Sequence, residues 1–508
     1  MPTLDEIRRQ GESVQGQIGS WPRSLVDREL WQVATDRLAA GSLTLLGLWG
    51  ERDMVHVALL EESSSETLIL SLACPDGRFP SVAAKHPPAV RLERSIHDLF
   101  GLWAIDAPDH RPWLDHDCWG IRHPLGATVP HAGSGSGAGY AFLGAEGDSM
   151  HQIAVGPIHA GIIEPGHFRF TANGEAVVRL EERLGYVHKG VEGLMTGADL
   201  DQAAKLAGRA SGDSTVAYAL AFSRAAEAAL GLEASPRARY LSVLMAELER
   251  LANHFGDIGA ICNDAAFALM HAQCAILRER VLRAAQLAFG HRLMRDCVVP
   301  GGVVVDLSED GRAALRALIG EARRVFPELV ELYDNTASLQ DRMVGTGVLS
   351  PALARQFGCG GYVGRASGRA FDARRALPYP PYDELAFEVP TLAEGDVNAR
   401  VWIRIREVEQ SLSLVAQILD LLPDGPIRAG RPPPSGRPTE GVAIVEGFRG
   451  DILAWLRLDE GAKISRCHLR DPSWFHWPVL EAAIEGNIVA DFPLCNKSFN
   501  CSYSGHDL

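Results

Sequence analysis

The spacing of hydrophobic and polar residues changes character three times along the 508-residue chain. Residues 26–38 (VDRELWQVATDRL) place apolar side chains at helical spacing, and the runs SLTLLGLW, MVHVALLEE and ETLILSLA after them read as strands, so residues 1–125 predict an α+β unit. Residues 131–148 (HAGSGSGAGYAFLGAEGD) concentrate Gly and Ser with little aliphatic periodicity, the composition of a flexible connector. A domain boundary is expected there, with residues 1–130 and 149–508 folding as separate units. Between 151 and 187 apolar residues alternate around Pro-Gly and Asn-Gly signals, predicting short antiparallel strands. From 199 to about 294 the period is helical, through AYALAFSRAAEAALG, ARYLSVLMAELERLANHFGDIGA and AQCAILRERVLRAAQLAFGHRLM; three long helices with short connections predict a bundle. Further helices are expected at 309–336 and 397–422, and a Pro-rich surface loop at 429–438. The last hundred residues return to strand patterning (GVAIVEGFRGDILAWLRL) before one short helix and an extended tail. The expected class is α+β: an N-terminal α/β domain, then a mainly helical domain with small sheets at both ends.

Composition changes this picture only by exclusion. There are 49 basic and 64 acidic residues, a net charge of −15, and 46% hydrophobic residues, the balance of a folded globular protein. Five Lys accompany 44 Arg without a basic stripe interleaved with aromatics, which argues against a nucleic-acid partner. Nine cysteines, an odd number with no C-x-x-C pair, read as reduced thiols. No run reaches the roughly 18 apolar residues of a membrane span, so membrane association is expected through partner subunits.

Among polar candidates, Glu247, Arg250 and His254 stand at i, i+3 and i+7, on one helical face, where they form either a channel lining or an ion-pair seam. Residues 365–375 hold four Arg around Asp372 and read as too basic for a core. They suit an acidic neighbour or an internal hydrophilic axis, with Arg365, Asp372 and Arg374 in structural or interface roles.

Several motifs carry a family resemblance. Glu93-Arg94-Ser95, Asp98-Leu99-Phe100-Gly101-Leu102, Ala107-Pro108-Asp109 and Trp119-Gly120-Ile121-Arg122-His123-Pro124-Leu125 are similar to the small hydrophilic subunit of respiratory complex I, whose role is docking. In order along the rest of the chain stand GPIHAGIIEPGHFRF, GYVHKGVEGL, ELERLANHFGDIG, Gly364-Arg365-Ala366-Ser367-Gly368 with Asp372-Ala373-Arg374-Arg375, and NKSFNCSYSGHDL. These resemble the large subunit shared by complex I and the membrane-bound energy-converting nickel-iron hydrogenases of the formate hydrogenlyase kind. The resemblance implies a fused small-plus-large subunit.

In the hydrogenase branch two C-x-x-C pairs hold nickel and iron through soft thiolates. The aligned positions here are Ser211 and Ser214, within Arg209-Ala210-Ser211-Gly212-Asp213-Ser214, and Ser502 and Gly505; Cys495 and Cys501 are nearby but out of register. No metal is therefore expected. In the complex I branch the same cavity takes a quinone headgroup. His159 keeps the first family histidine, the second falls near Pro165, and the family tyrosine position is Gly212. The resemblance thus implies a quinone site lined by His159, Ser211, Gly212, Ser214, Ser502 and His506, with Glu192 and Asp213 carrying protons. Glu192, in His188-Lys189-Gly190-Val191-Glu192, occupies the R-G-x-E position, where a partly buried carboxyl is expected to have its pKa raised toward neutrality. The competing reading is an ion pair with an arginine such as Arg209.

The resemblance as a whole implies a peripheral-arm subunit of a membrane-bound complex I-like oxidoreductase, on the cytoplasmic face of the inner membrane. Electrons would come from the iron–sulfur cluster of a partner subunit and leave to a quinone, with integral membrane subunits as further partners. The alternative is a non-catalytic structural or coupling subunit.

Overall fold

The computed structural model describes residues 3–14, 21–132 and 140–508. Asp27 opens the first long helix, Arg28–Ala39, by accepting the Leu30 N–H at 2.8 Å. Strands Thr44–Gly50, Met54–Glu61 and Glu66–Ala73 form the antiparallel part of a five-stranded sheet, and Arg23–Val26 joins it parallel to Glu66–Ala73. These three strands are buried on both faces, which is why they read as continuous apolar runs rather than strict alternation.

The second face is covered by the far end of the chain. The C-terminal sheet of Thr439–Glu446, Asp451–Leu458 and Ile464–Arg470 contributes Val442, Ile444, Leu453 and Trp455 to one core with Leu46, Trp49, Leu60 and Ile69. The Trp49 and Trp455 rings lie 5.5 Å apart. Ion pairs fix the seam: Arg23 with Glu440 at 2.6 Å, Arg457 with Glu51 at 2.7 Å, and Arg91 with Glu182 and Glu481 at 3.0 and 2.7 Å. The expectation of separately folding units therefore gives way to a shared core.

Residues 133–139 of the expected connector lie outside the described residues; just after them the Tyr140 hydroxyl accepts from Arg94 at 2.8 Å. Cutting the chain within 131–148 should accordingly leave the two fragments together. After limited proteolysis they should co-elute on gel filtration in native buffer and part only in denaturant; separation in native buffer would refute a shared core.

The helical bundle matches its periodicity closely. Its three long helices are Thr215–Leu230, Pro236–Asp264 and Ala268–Phe289, with Glu309–Asn335 and Val397–Leu421 packed beside them. Small residues permit close approach: a Cβ on Gly259 would stand 2.9 Å from the Cys274 Cβ of the next helix. The antiparallel strands expected in 151–187 are Met150–Val155, His167–Asn173 and Ala176–Arg183. The tail differs from expectation. Helices Ser473–Ala483 and Phe492–Phe499 precede a buried helical turn, Tyr503–Asp507, which Ser502 caps by accepting the Gly505 N–H at 2.9 Å. Such a turn, short and built from polar residues, leaves no periodic signature.

Candidate functional site

Two loops meet where the hydrogenase-like thiolates would stand: one precedes the helix Thr215–Leu230, the other the turn Tyr503–Asp507. The Ser211 and Ser502 hydroxyls hydrogen-bond to each other at 2.8 Å, and Ser211 also donates to Asp213 at 2.9 Å. The Arg449 guanidinium grips the Asp213 carboxylate with bonds of 2.7 and 2.5 Å and reaches Ser214 Oγ at 3.2 Å. Lys189 spans both loops, donating to the carbonyls of Ala210 and Ser504 at 3.0 and 3.5 Å.

This donor set does not fit nickel or iron. The hydroxyls are tied to one another and to Asp213, and a guanidinium and an ammonium bring positive charge where a cation would sit. At Gly505 a Cβ would meet the Asp471 carboxylate and the Ser502 hydroxyl, so a side chain there would require both to move. Burial pushes the Cys495 thiol up to about 11 and raises Cys501 further, so neither supplies a thiolate. Among the described residues no group of three or more His, Cys, Asp or Glu is arranged for a metal ion.

The same charges correct both expected proton carriers. Burial alone would raise the Asp213 pKa, but Arg449 and the Ser211 hydroxyl outweigh it and hold the group at about 2. Glu192 is buried with its carboxylate on Arg466 at 2.7 Å, His468 at 2.8 Å and the Leu469 N–H at 3.1 Å. Its burial, too, is outweighed by those partners, and its pKa is about 2 rather than near neutrality. The ion-pair reading fits Glu192, with Arg466 in place of Arg209; Arg209 instead pairs with Asp296 at 2.6 Å.

His159 stands half-buried in the loop between Met150–Val155 and His167–Asn173, its ring edge-on to Phe168 at 5.2 Å. Nδ1 lies 3.1 Å from the Pro157 carbonyl; assigning the proton there leaves Nε2 to accept from the Tyr503 hydroxyl at 3.2 Å. Because Tyr503 follows Ser502, this pair borders the serine cluster. The family tyrosine position, Gly212, carries no side chain, whereas a tyrosine arrives from the other loop. His506 does not join them. It is buried against Trp474 at 4.1 Å, bonds Asp507 through Nδ1 at 2.9 Å, and accepts the Trp113 indole N–H at 3.4 Å, tying the C-terminal turn to the N-terminal part.

Glu249 is inconspicuous in the sequence, one more acid in ELERLANHF. Its carboxyl is buried over the start of the helix Thr215–Leu230, accepting the Val216 and Ala217 N–H groups at 2.7 and 3.0 Å. Burial, aided by the Asp213 charge, outweighs those bonds and raises its pKa to about 8. With Gly212, Asp213 and Asn253 it lines a cavity of about 240 Å³. The one sequence signal is Asn253 a turn further on, whose side chain donates to the Asp213 carbonyl at 2.8 Å.

Behind the site runs a buried ionic axis: of the two settings expected for 365–375, an acidic neighbour or an internal hydrophilic axis, it takes the second, and it does so inside the core rather than outside it. Arg365 is fully buried, paired with Glu407 at 2.6 Å, Glu446 at 2.9 Å and Asp372 at 3.5 Å. Arg374 pairs with Asp372 at 2.6 Å and Glu247 at 2.9 Å, and His254 contacts Glu407 at 2.7 Å. Asn500 ties a second buried ion pair to the serine cluster: its amide donates to Asp257, which pairs with Arg404 at 3.3 Å, and its carbonyl accepts from Arg449 at 2.5 Å.

The chain is similar to known proteins along most of its length. Residues 29–134 match the model of the respiratory-chain NADH dehydrogenase 30 Kd subunit, and residues 264–438 and 433–507 match that of the 49 Kd subunit. Formate hydrogenlyase subunit 5 of Escherichia coli is 32% identical over 446 residues, 84% of this chain and 77% of that protein. The C/D subunit of the NADH-quinone oxidoreductase of Bacteroides thetaiotaomicron is 30% identical over 487 residues, 91% of this chain and 90% of that protein. Among solved structures, a chain of the membrane-bound sulfane sulfur reductase, an archaeal respiratory membrane complex, superposes with a TM-score of 0.67 at 28% identity, covering 71% of this chain and 99% of that one. The chain belongs to the family of fused 30 Kd-type and 49 Kd-type subunits of the respiratory NADH dehydrogenases and their membrane-bound hydrogenase relatives.

Proposed function

We propose that this chain is a peripheral-arm subunit of a complex I-like membrane complex. In this reading it works without nickel, passing electrons from an iron–sulfur cluster in a partner subunit to a quinone-like acceptor. No helix among the described residues is long and apolar enough to cross a membrane; in this reading the chain attaches through integral partner subunits. The observation that carries the reading is the His159–Tyr503 hydrogen bond at the edge of the serine cluster. Reducing a quinone to a quinol takes two electrons and two protons. The electrons come from the partner; Tyr503 passes its hydroxyl proton to one carbonyl oxygen and is reprotonated through His159 once Nε2 has taken a proton from solvent, and a second solvent proton goes to the other oxygen. Glu249 holds a proton at neutral pH, which Asp213 and Glu192 do not.

In the purified complex, His159→Ala and Tyr503→Phe should each slow quinone reduction by roughly tenfold to a hundredfold, equivalent to about 1–3 kcal/mol for a hydrogen bond to developing charge. Glu249→Gln should assemble normally yet flatten the pH dependence of turnover between pH 6 and 9. Unchanged rates in all three would overturn the reading. Replacing quinone by a sulfane sulfur compound in the same assay tests the acceptor named for the archaeal relative.

The second reading, a non-catalytic coupling subunit, is favoured by one observation: Asp213 and Glu192 are both held ionised in ion pairs. It predicts that the same three variants leave electron transfer untouched.

A further inference from the structure

A second cavity, of about 320 Å³, lies on the seam between the two parts of the chain, away from His159 and Tyr503. The helix Val90–Phe100 forms one side; residues 188–194, the strand Ile464–Arg470 and the C-terminus form the other. Its walls are mostly apolar, with Leu48, Leu92, Ile96, Leu99, Phe100 and Leu125 prominent, and its volume falls at the lower end of the range of small-molecule sites.

Polar residues interrupt the apolar lining, Ser95, His188, Lys189, Glu192 and Asp507 among them, and two of the others carry the argument. Arg466 and His468, 9% and 8% exposed, line the cavity while clamping Glu192, and each retains one buried polar atom without a hydrogen-bond partner among the described residues: Arg466 Nε and His468 Nε2. Their chemistry is opposite. Arg466 Nε–H can only donate. His468 Nδ1 faces the Glu192 carboxylate at 2.8 Å and takes the ring proton there, while burial keeps the ring neutral, so Nε2 is a lone pair that can only accept.

With the Trp49 indole N–H, which also lines the cavity and also lacks a partner among the described residues, the walls offer two donors and one acceptor, and these select a particular head group. A carboxylate would leave Nε2 unsatisfied and set a second negative charge beside Glu192. An ammonium would face the Arg466 cation, and a ketone would serve the donors alone. A hydroxyl donates to the acceptor and accepts from a donor. We propose that this cavity binds a small apolar molecule bearing a single hydroxyl head, which donates to His468 Nε2 and accepts from Arg466 Nε.

Lys189 also lines the cavity, and its ammonium holds the Ala210 and Ser504 carbonyls of the two serine-bearing loops, so an occupant sits one side chain from the candidate redox site. The binding site itself does not depend on that site's function.

The test is calorimetric titration of the full chain with 4-butylphenol and 1-octanol, each against its methyl ether, which can accept from Arg466 but cannot donate to His468. Each hydroxyl probe should compete for one site, and at least one should bind tenfold or more tightly than its ether. The tighter of the two assigns an aromatic or an aliphatic occupant. Ser95→Phe, which fills the chamber from its wall, should abolish binding while the unfolding transition shows a folded chain. Equal binding of hydroxyl and ether, no binding of either probe, or binding that survives Ser95→Phe would overturn the proposal.

Discussion

Arg365→Met should lower the free energy of unfolding by about 3–5 kcal/mol, among the largest effects of any single substitution in the chain. The methionine fills much of the volume, so the loss is electrostatic: Glu407 and Glu446, both buried, lose a cation lying 2.6 and 2.9 Å away. Burial and the nearby Asp372 already lift the Glu446 pKa to about 7, and without Arg365 it has little to hold it ionised. Arg316→Met is the control, because Arg316 and its partner Asp420 are 51% and 62% exposed and such pairs contribute at most about 1 kcal/mol. Urea denaturation of both variants decides the matter. A loss below about 1 kcal/mol for Arg365→Met would mean that the axis is not a stabilising element.

Asp213→Asn should cost about 1–2 kcal/mol at pH 7, because it strips the buried Arg449 guanidinium of a counter-charge whose own side chain is 38% exposed to solvent. Its pH dependence gives the sharper signature. A carboxyl whose ordinary pKa of 3.8 falls to about 2 in the folded chain contributes its stability in full above about pH 5, and loses it as the pH drops toward 2. The gap between the natural chain and the variant should therefore be constant from pH 7 to 5 and narrow below pH 4. Unfolding curves measured at intervals from pH 7 to 3 would show it. A gap that stays constant throughout that range would mean that Asp213 is not the ionised partner of Arg449.

The helices of the bundle are legible because a long amphipathic period survives whatever packs beside it; 397–422, for example, appears as Val397–Leu421, whereas the run 272–294 lies four to five residues late of its helix, Ala268–Phe289. Tyr503–Asp507 is not, since one polar turn carries no period. At the site, Ser211, Ser214 and Ser502 are legible because motif order places them. Their controlling partners are not. Arg449 reaches Asp213 across 236 residues and Tyr503 reaches His159 across 344, and no local pattern announces such meetings. The expected raised pKa of Glu192 fails for the same reason, since Arg466 and His468 lie more than 270 residues downstream. Burial of charge is misjudged at 365–375 because arginine counts there say nothing of the acids, Glu407, Glu446 and Glu247, that three other elements bring to them.

The seam between the two sheets also sets a timetable for biogenesis. Arg23 meets Glu440 across 417 residues, and the apolar face bearing Leu46 and Trp49 is covered only when residues 439–470 emerge. At 5–20 residues per second, a ribosome needs roughly 20–80 s to make that stretch. Throughout that interval the nascent N-terminal sheet presents an uncovered hydrophobic surface, long after its own strands have paired. Its expression yield should therefore respond to the supply of holdase chaperones more strongly than that of a version in which the two parts are made as separate, simultaneously available polypeptides.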